Sequence, residues 1–221
     1  MTEIVPEETA RFVRALGPDP DEILEEMDAY GEEIGFPTVG PEVGGWLQLL
    51  ATMVDARRIF EFGSGFGYSA YWFARALPAD GELVLTEIDA DELDRAREYL
   101  ERGGFANCAQ FEHGDAIDIV DAYDGPFDVV LIDNEKERYK DAFDAVRDKV
   151  APGGVVIADN AMTSGVQDFE TLLAWAEGDD PAMDAGTQGI ADYLGMVRTD
   201  PAFETAVMPV GEGIAVSYRV T

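Results

Sequence analysis

From residue 57 onward short apolar runs alternate with amphipathic segments, and this alternation constrains the fold more than any other feature of the sequence. The runs Arg58–Phe62, Glu82–Glu87, Ala109–His113, Phe127–Ile132 and Val155–Ala158 have strand length and strand composition. Between them, Tyr68–Leu77, Ala90–Arg102, Ala116–Ala122 and Arg138–Val150 carry helical spacing. A strand–helix–strand rhythm implies a mostly parallel sheet with helices on both faces. The end of the chain breaks the rhythm. Ala202–Met208 and Gly213–Val220 are two strand-like runs joined by Pro209-Val210-Gly211-Glu212, which predicts an antiparallel hairpin. The expected architecture is a three-layer α/β/α domain with seven strands.

Ahead of this core, Glu7–Leu16, Pro20–Ile34 and Pro41–Val54 read as helices. Residues 1–54 are expected to form a helical extension or lid, and 55–221 the α/β core of one domain. No apolar run reaches the roughly 18 residues needed to span a bilayer, and acidic Met1 to Glu8 does not read as a signal peptide. One cysteine, Cys108, excludes a disulfide framework, and one histidine, His113, excludes multi-histidine metal sites. The charge is extreme, with 46 acidic against 15 basic side chains and a formal net charge of -31. Such a surface repels phosphate backbones and anionic lipids, which argues against nucleic-acid and membrane partners. It suits a halophile's cytoplasm, where molar salt shortens the Debye length to roughly 3 Å and screens the self-repulsion.

After the first strand comes Glu61-Phe62-Gly63-Ser64-Gly65-Phe66-Gly67-Tyr68-Ser69, opening a helix. Glycines there let the backbone turn with positive φ and pass close to a ligand, at the strand ends where open α/β sheets bind ligands. Alone, such a turn is equally well a structural tight turn. Glu87 ends the second strand, where an acid can accept hydrogen bonds from a ribose. Dinucleotide sites favour Gly-x-Gly-x-x-Gly with a pyrophosphate at the helix N-terminus. Here the spacing is Gly-x-Gly-x-Gly and Glu61 precedes it, so a cofactor bearing ammonium or sulfonium, S-adenosylmethionine (SAM), fits better than a nicotinamide dinucleotide.

Two further strands end in oxygen donors. Phe127–Ile132 runs into Asp133, and the run through Val155-Val156-Ile157-Ala158 ends at Asp159-Asn160. If the two strands are neighbours, two carboxylates and an amide oxygen converge, a set suited to Mg²⁺, or to Ca²⁺ or Mn²⁺. The alternative is that these residues only cap or turn the strand ends. Lys136, one of three lysines, follows at the mouth of the same site and is the candidate general base, unless it is a surface lysine at a helix start. Trp46, Trp72 and Trp175 either line an aromatic pocket or, as is commoner, pack the core.

Taken in order, these pieces resemble the metal-dependent class I SAM-dependent O-methyltransferases, the group of catechol and caffeoyl-CoA O-methyltransferases. The resemblance runs from about Val39 to the terminal hairpin. Besides the glycine loop and Glu87, it is carried by Gly114-Asp115-Ala116, Asp133 to Lys136 with Tyr139, Pro152-Gly153-Gly154, Asp159-Asn160 and Pro209-Val210-Gly211-Glu212-Gly213. It implies a Rossmann-like methyltransferase fold with sheet order 3-2-1-4-5-7-6, which would set the strands ending in Asp133 and Asp159 side by side. It implies cofactor contacts at Val39, Glu61, Gly63, Gly65, Ser69, Glu87, Asp115, Ala116 and Asp133. It further implies metal ligands at Asp133, Asp159 and Asn160, and a catalytic base at Lys136.

The implied reaction is methylation of one of two neighbouring oxygens of a small-molecule acceptor, and the implied assembly includes a homodimer as an option. Two departures bear on the acceptor. Asp133-Asn134-Glu135-Lys136 stands where plant and bacterial members usually carry Asp-Ala-Asp-Lys. In the helix expected after the fifth strand, Thr187-Gln188-Gly189-Ile190-Ala191-Asp192-Tyr193-Leu194 lacks the Arg and Phe-Asn of many members. Both this and the acidity disfavour a coenzyme A thioester and favour a small catechol-like acceptor. The competing readings are a metal-independent SAM-dependent methyltransferase, including one acting on tRNA, a nicotinamide-linked oxidoreductase, and a protein that binds SAM or metal without turnover.

Overall fold

The computed structural model describes residues 5–165 and 167–221. The first four residues of the acidic N-terminal stretch lie outside them. Strands β1 (Arg58–Phe62), β2 (Glu82–Glu87), β3 (Ala109–His113), β4 (Phe127–Ile132), β5 (Val150–Ala158), β6 (Phe203–Met208) and β7 (Ile214–Arg219) form one sheet. Its order is β3-β2-β1-β4-β5-β7-β6. The first five strands pair in parallel, while β7 is antiparallel to both β5 and β6. The expected fold class and strand order are both borne out.

Because side chains alternate across a strand, each central strand feeds two cores. Phe60, Phe62, Val130, Ile132, Val156 and Ala158 face one way, onto α6 (Ala116–Val120), α7 (Tyr139–Val146), α8 (Phe169–Glu177) and α9 (Ala185–Thr199). Ile59, Leu83, Leu85, Val129, Leu131 and Ile157 face the other way, onto α3 (Gly40–Met53), α4 (Tyr68–Ala74) and α5 (Ala90–Arg102). Near-continuous apolar strands are what a parallel sheet covered on both faces requires. A third, aromatic cluster joins α2 (Glu22–Ile34) to α4 through Leu24, Met27, Tyr71 and Trp72. By contrast α1 (Glu7–Leu16) buries no residue, and its Arg14 is tied to Glu42 of α3 by an ion pair of 2.5 Å.

Part of the acidic excess caps helices. Asp21, Asp89, Asp115, Asp168 and Asp184 each accept backbone N–H groups at the N-termini of α2, α5, α6, α8 and α9.

The boundaries differ most from the sequence expectation around the start of β5. The helix expected to reach Val150 ends at Val146, and Val150 already pairs with Phe127, so β5 begins before Pro152-Gly153-Gly154 rather than at Val155. The register shifts between Phe127 and Val129, and Gly153 takes φ +86°, so a bulge hides the first part of the strand from a period-two reading. Helix α8 drew no expectation, and α9 only through the resemblance. Their patterns are irregular because each packs on a neighbouring helix as well as on the core.

The register places the site. Phe62 lies opposite Ile132, and Ile132 opposite Ala158. The ladder runs one residue further: Asp133 N–H donates to Phe62 O at 2.9 Å, and Asp159 N–H to Ile132 O at 3.2 Å. Gly63, Asp133 and Asp159 therefore emerge in a row at the carboxyl edge of the sheet.

Candidate functional site

At that edge lies a cavity of about 430 Å³, lined by Val39, Gly63, Gly65, Ser69, Glu87, Asp133, Lys136, Asp159 and Asn160. A second cavity of about 270 Å³ shares Gly63, Glu87 and Asp133 with it and continues past Gly114, Asp115 and Ala116 to Arg138. Of the residues expected to contact cofactor or metal or to act as the base, Glu61 alone lines neither cavity.

The glycine loop is shaped by backbone requirements. Gly63, Gly65 and Gly67 all have positive φ, at +81°, +49° and +86°. A Cβ on Gly63 would lie 2.8 Å from the backbone oxygen of Asp133, so only glycine lets β1 and β4 close at this edge. The loop is tied from below by Glu87. One carboxylate oxygen accepts Gly65 N–H at 2.9 Å, and the other accepts the N–H groups of Ile88 and Asp89 at 2.8 and 3.0 Å. Glu87 is thus a brace for the loop as well as a wall of the cavity.

Glu61 lies beneath the loop, fully buried. Burial pushes its carboxyl up to about 8, against a smaller pull from the Ser69 hydroxyl. Among the described residues neither of its oxygens has a full hydrogen-bond partner. A buried carboxyl left so is costly and points to a use beyond packing.

The second half of the site is acidic. Asp159 is 5% exposed, and its Oδ1 has no hydrogen-bond partner among the described residues. Burial first, and then the charge of Asp133, raises its carboxyl above the usual range. Burial raises Asp133 also, offset by the Lys136 ammonium. Asn160 takes φ +53°, a left-handed conformation that asparagine tolerates. Its side-chain amide donates to Glu212 of the β6–β7 turn, and its backbone oxygen accepts from Gln167.

Among the described residues no three His, Cys, Asp or Glu side chains cluster as a metal site. The set here is two carboxylates and an amide, with one buried oxygen left unpartnered. That donor set fits a hard, oxygen-preferring divalent cation, which would lower both raised carboxyls.

Lys136 opens a 3₁₀ turn, Lys136–Arg138, just beyond Asp133. Its Nζ donates to Asp133 Oδ1 at 2.9 Å and to the Tyr139 hydroxyl at 2.7 Å. Tyr139 is fully buried and stacks edge-on against Tyr193 of α9, with ring centres 5.8 Å apart. Burial, then the charges of Asp133 and Asp159, holds its hydroxyl well above the ordinary tyrosine value, so it stays protonated. Asp115 caps α6 through Ile117 N–H at 3.0 Å and pairs with Arg138 at 2.7 Å, which lowers its carboxyl.

Sequence reasoning gave no role to Phe36, Ser164 or Glu212, which also line the larger cavity. Glu212 alone had a signal, its place in the hairpin turn. Phe36 and Ser164 sit in connections with no chemical pattern. None of the three tryptophans lines either cavity: Trp72 is core, Trp46 borders a groove between α1 and α3, and Trp175 packs beside α9. His113 bonds Ile88 O at 3.1 Å outside both cavities, and burial pushes the Cys108 thiol up, as for an inert cysteine.

The O-methyltransferase family model matches residues 20–220. The chain belongs to the O-methyltransferase family. It is 32% identical over 199 residues to a catechol O-methyltransferase of Niastella koreensis, covering 87% of this chain and 85% of that protein. It is 25% identical over 214 residues to caffeoyl-CoA O-methyltransferase 2 of Petunia hybrida, covering 92% and 85%. Among solved structures, the O-methyltransferase TomG of Streptomyces achromogenes, in complex with SAM, superposes with a TM-score of 0.84 at 28% identity over 100% of both chains. The O-methyltransferase of Bacillus cereus, in complex with SAH, gives 0.81 at 26%, over 96% of this chain and 97% of that one. The family read from the glycine loop and the two acidic strand ends is the family found, and the enzyme class with it.

Proposed function

We propose that this O-methyltransferase uses SAM and a divalent cation, Mg²⁺ in the first instance, to methylate a hydroxyl of a small catechol-like acceptor. The observation that carries this reading is the row of Asp133, Asp159 and Asn160 on adjacent strand ends, beside Lys136 and facing the glycine loop across one cavity. The relatives support it: SAM is bound in the TomG structure and SAH in that of the Bacillus cereus enzyme, and the relatives include catechol and caffeoyl-CoA enzymes.

In this reading SAM supplies an electrophilic methyl on a sulfonium. The Gly63–Gly67 loop and Val39 hold its methionine end, Glu87 its ribose, and Asp115 with Ala116 border its base in the smaller cavity. Glu61 supplies negative charge under the loop, where a positively charged cofactor returns its carboxyl to the ionised form. Asp133, Asp159 and Asn160 would hold the cation, whose chemistry is to lower the pKa of a hydroxyl placed beside it. Lys136 takes the acceptor's proton. The rest of the catalysis is alignment of acceptor oxygen, methyl and sulfur, which the cavity walls impose. A small acceptor is favoured by the cavity of about 430 Å³ and by the scarcity of cations on a chain of net charge -31. The same charge keeps polyanionic nucleic acids at a distance. No helix among the described residues is long and apolar enough to cross a membrane.

The test is a calorimetric titration of Mg²⁺ in molar KCl with SAH present, on the protein and on Asp159→Ala. One saturable cation site, lost in the variant, supports the reading. SAH binding without a specific cation site would leave a metal-independent methyltransferase and remove the roles of Asp133, Asp159 and Asn160.

A further inference from the structure

A lysine acts as a base only if its lone pair faces the proton it takes. A neutral Nζ has two N–H bonds and one lone pair, arranged tetrahedrally. Lys136 Nζ meets two acceptors, the Tyr139 hydroxyl at 2.7 Å and Asp133 Oδ1 at 2.9 Å, and the described residues offer no third. The side chain is only 14% exposed and lines the cavity, so the remaining tetrahedral position opens there. We infer that Tyr139 is a positioning residue: by accepting one N–H of Lys136 it turns the lone pair of the base toward the acceptor. This rests on the reading of Lys136 as the base.

Three observations single out Tyr139 over Asp133 for this task. First, Asp133 also stands in the proposed cation set, so its charge is divided between two positive partners, whereas the Tyr139 oxygen accepts from Lys136 at 2.7 Å while its own hydroxyl hydrogen points to Asp133 Oδ1 at 3.4 Å. Second, Tyr139 cannot swing away. It is fully buried, with its ring held edge-on by Tyr193, whose own ring is also edge-on to Phe143 at 6.0 Å. Third, the backbone beneath Lys136 is fixed independently. Gly189 of α9 lies against the 3₁₀ turn so closely that a Cβ there would sit 2.3 Å from the Lys136 carbonyl oxygen and 2.7 Å from Glu137 Cα. With the base of the side chain anchored by that contact, the freedom left is the rotation of its tip, and Tyr139 removes it. Asp133, Lys136 and Tyr139 follow one another at spacings of three, so the segment from the end of β4 through the 3₁₀ turn to the first residue of α7 carries the whole device.

The experiment is a double-mutant cycle of Tyr139→Phe and Lys136→Ala, with catechol, SAM and Mg²⁺ in molar KCl, beside the crystal structure of Tyr139→Phe. The phenylalanine keeps the ring and removes the acceptor. The expected result is a fall in kcat of about ten- to a hundredfold, the scale of a displaced catalytic group, with KM for catechol and SAH affinity within about twofold of the parent. In the Lys136→Ala background the second substitution should cost nothing further, since no base remains to orient. In the crystal, Lys136 Nζ should leave its place beside Asp133.

Equal and additive losses in both backgrounds, or a kcat unchanged by Tyr139→Phe while Lys136→Ala lowers it, would overturn the positioning role alone. A kcat unaffected by Lys136→Ala would instead remove the base and, with it, the proposal. If catechol is not turned over, the crystal structure decides: an unmoved Nζ overturns the inference, and a displaced one supports it. Gly189→Ala is the second variant. It should lower kcat by displacing the turn even though Tyr139 is intact, and an unaltered kcat would show that the tip needs no anchored backbone.

Discussion

The two sides of the cavity are built on opposite plans. On the β1–β2 side the cavity wall is largely backbone: Gly63 and Gly65 at positive φ, braced by both oxygens of Glu87. On the β4–β5 side it is side chains, with carboxylates crowded together and one Asp159 oxygen without a partner among the described residues. The first plan resists change because a Cβ has nowhere to go. The second is unsatisfied until something positively charged arrives. A molecule so divided should respond to substitution in two distinguishable ways: on the glycine side through conformation, on the acidic side through charge.

The largest effect expected is on the acidic side. Asp159→Ala should cut methyl transfer on the order of a thousandfold or more, the scale of losing electrostatic stabilisation at a reacting centre. SAH affinity measured by calorimetry should be nearly unchanged. Retained activity, or equal loss of SAH binding, would mean that the two halves are not separate.

Gly63→Ala attacks the contact between them, since its Cβ would press on the backbone oxygen of Asp133 at 2.8 Å. The left-handed backbone and this clash together should cost about 2 kcal/mol or more of stability. SAH affinity should fall at least about tenfold, and Mg²⁺ affinity should fall with it, because the alanine displaces Asp133. A loss confined to SAH would show that the edge of β4 yields without disturbing the acids.

Glu61 sharpens the comparison from beneath the loop, as a charge buried on the conformational side. Its carboxyl is raised to about 8 in the fold from an ordinary 4.5. The folded chain therefore keeps a proton that the unfolded chain has released. The stability from this group is complete below about pH 4.5 and is lost as pH rises toward 8, at up to about 1.4 kcal/mol per pH unit. Glu61→Gln should remove that share of the slope in denaturant unfolding of the ligand-free protein at pH 5, 6 and 7.5. A slope identical in both proteins would mean that Glu61 is ionised in the fold. SAH should bind Glu61→Gln more weakly.

The smallest effect falls on both sides alike. With a net charge of -31, the melting temperature should climb steadily from dilute buffer to molar KCl as repulsion is screened. A melting temperature indifferent to KCl would end the case for a protein adapted to high salt.

Much of this was readable beforehand. The five parallel strands and the hairpin follow from apolar runs of strand length, because a sheet covered on both faces demands such runs wherever it occurs. The glycine loop and the acids at the ends of β4 and β5 were visible because local chemistry marks them: positive φ needs glycine, and an acid closing an apolar strand stands out. Helices α8 and α9 were not readable from periodicity, since part of each apolar face is spent on a neighbouring helix. The early start of β5 was hidden by a bulge.

The sequence by itself determined the strand rhythm, the charge and the types of donor available at each strand end, since these depend on neighbours along the chain. Only the tertiary structure decided which donors meet. Sheet order and register set Asp133 beside Asp159, although 26 positions separate them in the chain. The hairpin brings Glu212 to Asn160 across 52 positions. Packing of α9 against the 3₁₀ turn places Gly189 and Tyr193 behind Lys136 and Tyr139. Such contacts join residues remote in sequence, and no local pattern of apolar or polar residues encodes a distance through space.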